Sequence, residues 1–86
     1  MVTVKRFTAS WCNPCKALAP VIESLEPEFP DVKFETVDID ESSELVQQYG
    51  IRSVPTIVVE KDGSEVERFV GTHAKQKYVD FLTQIS

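Results

Sequence analysis

The chain has few of the residues from which metal sites are built. Its 86 residues include two cysteines, Cys12 and Cys15, and one histidine, His73. A structural zinc site needs about four ligands, which cysteine and histidine usually supply. One copy of the chain therefore lacks enough such ligands, and a bound metal would have to be shared between chains.

Long apolar segments are also missing. Runs such as Ile57-Val58-Val59 are far shorter than the ~20 residues that a membrane-spanning helix needs. The first seven residues alternate apolar and polar side chains and lack the apolar core of a secretory signal. We therefore expect a soluble, cytoplasmic protein, in a reducing compartment where a close cysteine pair is more often catalytic or metal-binding than structural.

Positive charge is in the minority. Nine Lys and Arg residues against fourteen Asp and Glu residues give a net charge of −5, and the basic residues are spread along the chain. Nucleic-acid binding requires a basic patch or stripe, so we expect no nucleic-acid partner. The length predicts a single domain, residues 1–86, without a linker or repeat.

The periodicity of apolar residues predicts an α/β protein with the order βαβαββα. The predicted strands cover residues 2–8, 32–39, 54–60 and 65–70. The predicted helices cover a segment after Cys12 that is closed by Pro27 and Pro30, then residues 42–49 and 74–85. We expect Asp40 or Ser42 to cap the second helix, Gly50 to end it, and Asp62-Gly63 to form a hairpin turn.

This order predicts a small four-stranded mixed sheet. A helix joins the first two strands, which requires a parallel pair with a right-handed crossover, and the final hairpin adds an antiparallel pair. The segment Trp11-Cys12-Asn13-Pro14-Cys15-Lys16 then falls between strand 1 and helix 1. It lies at the carboxyl edge of the sheet, where α/β folds carry their functional sites.

The spacing of the two cysteines indicates dithiol–disulfide exchange. Cys12 begins a helix, where unpaired N–H groups and the helix dipole stabilise a thiolate, so we expect it to be the nucleophile. Cys15 follows about one turn later, a spacing compatible with a disulfide, and is expected to be the resolving thiol.

Three other interpretations of the cysteines stay open at this point. A structural disulfide closing so short a loop would stabilise the fold by only about 2 kcal/mol. A metal or iron–sulfur cluster would have to bridge two chains. A thiol-protease arrangement would need His73 as its base, whereas His73 is expected to cap or flank the last helix.

The residues around the cysteines extend into a longer pattern. The matching segments are Trp11–Lys16, Ala19-Pro20, Val37–Asp40, Tyr49–Thr56, Asp62-Gly63 and Val70-Gly71. In this order they strongly resemble the thioredoxin family, and the resemblance covers nearly the whole chain. A lone Cys-x-x-Cys motif is weak, but its combination with the Trp, the Pro between the cysteines and the later Val-Pro-Thr is highly specific.

The resemblance implies a thioredoxin fold with Cys12 as attacking thiolate and Cys15 as resolving thiol. It also implies that Asn13 and Pro14 support the pair, and that a cis peptide bond precedes Pro55 beside it. No bound cofactor is implied, because the active group would be the Cys12–Cys15 disulfide itself.

The resemblance further implies a shallow apolar surface around the cysteines where partner proteins dock. Its residues would be Trp11, Pro14, Val54, Pro55 and Gly71. In the family, the residue before the cis proline, here Val54, offers its backbone to the substrate chain, and such strand-like pairing suits many protein substrates.

The implied partners are proteins. A thioredoxin-reductase-like flavoprotein using NADPH would regenerate the dithiol, and the substrates would be disulfide-containing proteins such as ribonucleotide reductase or a peroxiredoxin. We expect the chain to act as a monomer. One alternative is a glutaredoxin-like protein regenerated by glutathione, although Val70-Gly71-Thr72-His73 lacks the paired glycines of glutaredoxins. Another is a non-enzymatic binding module with the same fold.

The chain departs from the family pattern at three places. It starts directly on the strand that leads into the cysteines, without the additional strand and helix that usually come first. Arg6 replaces the buried acid six residues before the first cysteine, and Thr36 replaces the lysine near it. Asn13 stands where glycine is usual. Because Asn13 and Pro14 add no charge, we expect a reductant rather than an oxidant.

Overall fold

The computed structural model describes all 86 residues. The elements are β1 (Val2–Thr8), α1 (Asn13–Glu23), a short 3₁₀ helix (Glu26–Glu28), β2 (Lys33–Asp38), α2 (Ser43–Tyr49), β3 (Thr56–Lys61), β4 (Ser64–Val70) and α3 (Lys75–Ile85). The predicted order βαβαββα is confirmed, with the 3₁₀ helix as an addition. None of the helices combines the length and apolar character that crossing a membrane requires.

The four strands form one mixed sheet in the order β2-β1-β3-β4. β1 pairs in parallel with β2, while the β1–β3 and β3–β4 pairs are antiparallel. β3 is an inner strand, and its residues 56–59 are all buried, which fits their continuous run of β-branched side chains. The predicted four-stranded mixed sheet with three helices is therefore confirmed.

The sheet has two faces of different size. The α1/α3 face, which α1 and α3 cover, contains eleven buried apolar residues: Val2, Val4, Leu18, Ile22, Leu25, Val32, Ile57, Val59, Phe69, Tyr78 and Leu82. The α2 face, which α2 covers, contains three: Phe7, Val37 and Val58. Burying one large side chain contributes roughly 1.5–3 kcal/mol, so most of the apolar stabilisation comes from the α1/α3 face.

Local turn chemistry places two sharp bends as predicted. Asp62 and Gly63 have φ values of 52° and 88° and join β3 to β4 through the pair Lys61–Ser64. Positive φ at both central residues is the signature of a type I′ hairpin turn. Gly50 ends α2 in the left-handed conformation, with φ at 64°.

Most of the other bounds agree with the prediction to within one residue, and three details of the local structure differ more. β3 begins at Thr56 rather than at residue 54, because Pro55 has no N–H group to donate to a strand ladder. α1 ends at Glu23, and Pro27 instead lies in the first turn of the 3₁₀ helix. The predicted side-chain cap of α2 is wrong, since Ser42 stands at the N-cap without a side-chain hydrogen bond.

Candidate active site

The two cysteines form a disulfide at the start of α1. Their Cα atoms are 5.3 Å apart, and their residues are 5% and 2% exposed. Cys12 is the N-cap residue with an extended backbone, and its Sγ accepts the backbone N–H of Cys15 at 3.2 Å. An N-cap acceptor faces the positive end of the helix dipole, so after reduction this position favours negative charge on Cys12 Sγ.

The immediate surroundings of the disulfide are apolar. Ala9 is buried with the two cysteines, and Ile39 and Val54 pack against this cluster. The hydrogen bonds of both cysteines run to backbone groups, including Cys12 N–H to the carbonyl of Ala9 at 3.2 Å. Thiolate stabilisation therefore depends on the helix terminus rather than on a neighbouring charged side chain.

Asn13 and Pro14 occupy the first turn of α1 and are both exposed. Proline fits this position because the N–H groups of the first turn have no intrahelical acceptor. Neither residue adds a formal charge beside the disulfide, and the first turn contains no acidic side chain. The turn between the cysteines is therefore open to solvent and uncharged.

A second loop approaches the disulfide from between α2 and β3. The Val54–Pro55 peptide bond is cis, as the resemblance implies. Val54 is half-buried and contacts the cysteine cluster, whereas Pro55 is buried. The carbonyl of Pro55 accepts the N–H of Gly71 at 2.9 Å, and Gly71 has a φ of 80°. This bond joins the loop after β4 to the loop beside the disulfide.

Exposed apolar side chains border these loops. Trp11 is 64% exposed beside Cys12, and Val70, which precedes Gly71, is 56% exposed. The indole N–H of Trp11 donates to Asp40 Oδ2 at 2.9 Å, which fixes the ring against the loop after β2. Asp40 and Val70 were not among the predicted site residues, although both belong to segments that resemble the family.

Arg6, which stands where the family usually has a buried acid, points away from the disulfide and is largely buried. Its side chain is 13% exposed, donates to Thr36 Oγ1 at 3.0 Å, and lies 3.8 Å from a carboxylate oxygen of Glu23. Glu23 ends α1, eleven residues after Cys12, which corresponds to about 16 Å along the helix axis. The charge of Arg6 is therefore compensated at the end of α1 that is remote from the cysteines.

A polar cluster that the sequence did not reveal lies at the C-terminal end of α2. Lys5 Nζ donates to the hydroxyl of Tyr49 at 2.7 Å and lies 3.0 Å from Glu60, and the Tyr49 hydroxyl donates to Glu60. Arg68 also donates to the backbone carbonyl of Tyr49 at 2.7 Å. The Lys5–Tyr49–Glu60 cluster thus anchors the last turn of α2, from which the chain enters the Val54–Pro55 loop.

The ionisation of this cluster follows from its contacts. The hydrogen bond to Tyr49, together with Glu60, outweighs burial and raises the pKa of Lys5 above its ordinary value of 10.5. Burial raises the pKa of Glu60, but the hydrogen bonds from Tyr49 and Lys5 outweigh this effect and hold that pKa below its ordinary value of 4.5. The pair is therefore ionised over the whole neutral range.

The residues do not assemble a metal-binding cluster. No three His, Cys, Asp or Glu side chains are placed together to hold an ion. The surface hollows also lie away from the disulfide, since neither cysteine lines one.

Known proteins match along nearly the whole chain. The family model described as Thioredoxin matches residues 1–84. A thioredoxin of Chlamydia trachomatis is 45% identical over 78 residues, covering 91% of this chain and 76% of the relative. A thioredoxin of Bacillus subtilis is 45% identical over 84 residues, covering 96% of this chain and 81% of the relative.

Solved structures agree with these matches. The thioredoxin of Fasciola hepatica superposes with a TM-score of 0.91 at 39% identity, covering 99% of this chain and 81% of that one. A structure on the "thiol resolving mechanism in yeast mitochondrial 1-Cys peroxiredoxin via glutathione/thioredoxin systems" has a TM-score of 0.90 at 28% identity, covering 98% and 78%. The chain belongs to the thioredoxin family, and it is a dithiol–disulfide oxidoreductase whose active group is the Cys12–Cys15 disulfide.

Proposed function

We propose that this chain reduces disulfide bonds in other proteins, with Cys12 as nucleophile and Cys15 as resolving thiol. It acts as one thioredoxin-like domain spanning residues 1–86, as a monomer in the cytoplasm. The observation that carries the assignment of roles is the position of Cys12 Sγ, which accepts the N–H of Cys15 at the start of α1. The helix terminus stabilises a thiolate more strongly at this position than at Cys15, which lies one turn further into the helix.

The reaction consists of two exchanges. The thiolate of reduced Cys12 attacks one sulfur of the substrate disulfide, forms a mixed disulfide, and releases the other substrate sulfur as a thiolate that takes up a proton. Cys15, after losing its proton to solvent, then attacks Cys12 Sγ. This step forms the Cys12–Cys15 disulfide and releases the second substrate thiolate. Two electrons pass to the substrate, and the protein is oxidised.

The substrate docks on the exposed surface beside the disulfide. Trp11, Pro14, Val54 and Gly71 contact the partner, and the backbone of Val54 pairs with an extended segment of the substrate chain. Pro55 is buried and supports this surface through its carbonyl, which holds Gly71. Backbone pairing selects little among side chains, so several substrate proteins fit the same surface.

Regeneration requires a second protein. A flavoprotein of the thioredoxin-reductase type transfers two electrons from NADPH and reopens the Cys12–Cys15 disulfide. Ribonucleotide reductase and peroxiredoxins are the proposed classes of substrate. The similarity to the structure concerned with a yeast mitochondrial 1-Cys peroxiredoxin and glutathione/thioredoxin systems supports the second class.

Trapping of the mixed disulfide tests the roles of the cysteines. Cys15→Ser removes the resolving thiol, so Cys12 should stay bonded to a substrate protein. The complex should appear on a non-reducing gel and disappear after treatment with dithiothreitol. Cys12→Ser is the matched control and should give no such complex. Equal trapping by the two variants would contradict the assignment of Cys12 as nucleophile.

Two coupled assays then test regeneration. Reduction of a protein disulfide is followed with NADPH and thioredoxin reductase, and separately with glutathione, glutathione reductase and NADPH. We expect turnover in the first assay. Turnover only with glutathione would show glutaredoxin-like chemistry, and a protein that reduces no disulfide in either assay would be a binding module.

A further inference from the structure

His73 lies in the loop that joins β4 to α3, directly behind the proposed docking surface. Its Nε2 atom is 3.0 Å from the carbonyl oxygen of Val70. The ring also meets Phe69 and Tyr78 edge-on, with centroid distances of 5.8 and 6.3 Å. These contacts hold the imidazole in one orientation, although His73 remains half exposed.

The contact with Val70 identifies which ring nitrogen carries a proton. A carbonyl oxygen only accepts hydrogen bonds, so Nε2 must be the donor. Neutral His73 is therefore the Nε2–H tautomer, and protonation at the other nitrogen leaves this donor in place. The bond persists in both ionisation states of the ring.

The peptide group between Val70 and Gly71 is held at both of its polar ends. Its carbonyl accepts the ring Nε2–H of His73 at 3.0 Å, and its N–H donates to the carbonyl of Pro55 at 2.9 Å. Two bonds on opposite sides of one planar group fix the orientation of that plane. The plane in turn fixes the direction of the exposed Val70 side chain and the course of the chain through Gly71.

We propose that His73 is a positioning residue for substrate docking, which orients the Val70–Gly71 peptide so that this edge of the docking surface is formed before a partner binds. The inference rests on the proposed function, because it concerns how a protein substrate binds beside Cys12. A preformed surface binds more tightly than one that must be ordered on contact. Loss of the hydrogen bond therefore weakens the binding of protein substrates and leaves the exchange chemistry unchanged.

Two variants that both lack the ring but have side chains of similar length separate the hydrogen bond from the ring itself. His73→Gln retains an N–H donor, whereas His73→Met has similar length without one. The readouts are kcat and KM for reduction of insulin, the rate with a small aromatic disulfide, and the midpoint of thermal unfolding. Gln76→Leu, an exposed position in the first turns of α3, is the control for a new apolar side chain nearby.

We expect His73→Met to raise KM for insulin about fivefold, the effect of one lost hydrogen bond, with kcat within about twofold of wild type. The rate with the small disulfide should not change. His73→Gln should restore KM to within about twofold of wild type.

Three results would overturn the role of His73 while the protein remains an active reductase. They are an unchanged KM in His73→Met, equal defects in His73→Met and His73→Gln, or a loss of rate shared by insulin and the small disulfide. If His73→Met does not fold, His73→Leu replaces it in the same comparison, and His73→Gln still has to match wild type. A wild-type protein that reduces the small disulfide but no protein disulfide would instead refute the proposed function itself.

Discussion

The two faces of the sheet are built in different ways. On the α1/α3 face, eleven buried apolar residues form the core, and the largely buried Arg6 at its edge pairs with Glu23, whose side chain is mostly exposed. On the α2 face, three buried apolar residues lie next to the Lys5–Tyr49–Glu60 cluster, whose charged side chains are 17% and 12% exposed. The first face has the larger apolar core, and the second combines a small core with an ion pair in which both side chains are largely buried.

This difference separates stability from positioning. On the α1/α3 face, Leu18 and Ile22 bury one side of α1, whose N-cap is Cys12, and so join the active group to the larger apolar core. The α2 face anchors Tyr49, just before the chain turns at Gly50 towards Val54 and Pro55. Substitutions in the first face should therefore lower the free energy of unfolding more than substitutions in the second face.

Removal of a large side chain from each face gives the largest effect. Leu82→Ala on the α1/α3 face empties a fully enclosed site and should cost about 3–4 kcal/mol in the free energy of unfolding, or roughly 12–30 °C in the thermal midpoint. Leu45→Ala removes the same atoms from a half-buried position of the α2 face and should cost about 1–2 kcal/mol. Urea denaturation measures both. Equal losses would show that the two faces contribute alike.

Breaking the ion pair of the α2 face gives the next effect. Lys5→Met or Glu60→Gln alone leaves a partly buried charge without its partner and should cost about 1–2 kcal/mol in the free energy of unfolding. The double variant Lys5→Met/Glu60→Leu makes this face resemble the other one. It should recover most of the loss, because apolar replacement of a buried pair is often neutral or stabilising. A double variant less stable than either single one would contradict this expectation.

The same pair should give a pH dependence of stability. The pKa of Glu60 is lowered in the folded state, so its contribution is present above the ordinary value of 4.5 and is lost as pH falls through the folded value. The pKa of Lys5 is raised, so its contribution is present below 10.5 and is lost as pH rises through the folded value.

Denaturation of the double variant at several pH values checks this dependence. Compared with wild type, Lys5→Met/Glu60→Leu should lose less stability below about pH 4.5 and above about pH 10.5, with a difference on the order of 1 kcal/mol. Parallel pH profiles of the two proteins would show that the pair titrates alike in the folded and unfolded chains.

The smallest effect is expected at Arg6, the charged residue directed towards the end of α1. Arg6→Met removes a pair with Glu23, whose carboxylate is largely exposed, and should change the free energy of unfolding by less than about 1 kcal/mol. The cysteines lie beyond about one Debye length from this pair, so Arg6→Met should leave the ionisation of the Cys12 thiol unchanged. Ultraviolet titration of the thiolate in both proteins measures it. A shift of about one unit or more would place Arg6 in the chemistry.

Features with local causes could be predicted from the sequence. Asp62-Gly63 and Gly50 adopt positive φ because short turns and helix ends demand it, and these residues tolerate it. The N-cap position of Cys12 followed from the start of apolar periodicity after the motif. The cis bond before Pro55 came only from the resemblance to a family, because local sequence seldom determines it.

Features that depend on pairing between distant segments were not predictable in the same way. Lys5 and Glu60 belong to β1 and β3, and only their pairing in one sheet brings the two charges together under Tyr49. The sequence signal for this contact was that Lys5 and Glu60 carry opposite charges at inward-facing positions of two strands that become neighbours in the sheet. The contact of Arg6 with Glu23 likewise depends on how α1 crosses the sheet, which periodicity does not specify.

Trp11 has a consequence for observing the protein in action. It is the only tryptophan in the chain, it stands next to Cys12 in sequence, and Asp40 holds its exposed ring in place. All indole emission from the protein therefore originates at one ring next to the disulfide, and disulfides quench excited indole efficiently. The fluorescence of Trp11 should rise when the disulfide is reduced and fall when it forms again, so the redox state can be followed in real time without a dye.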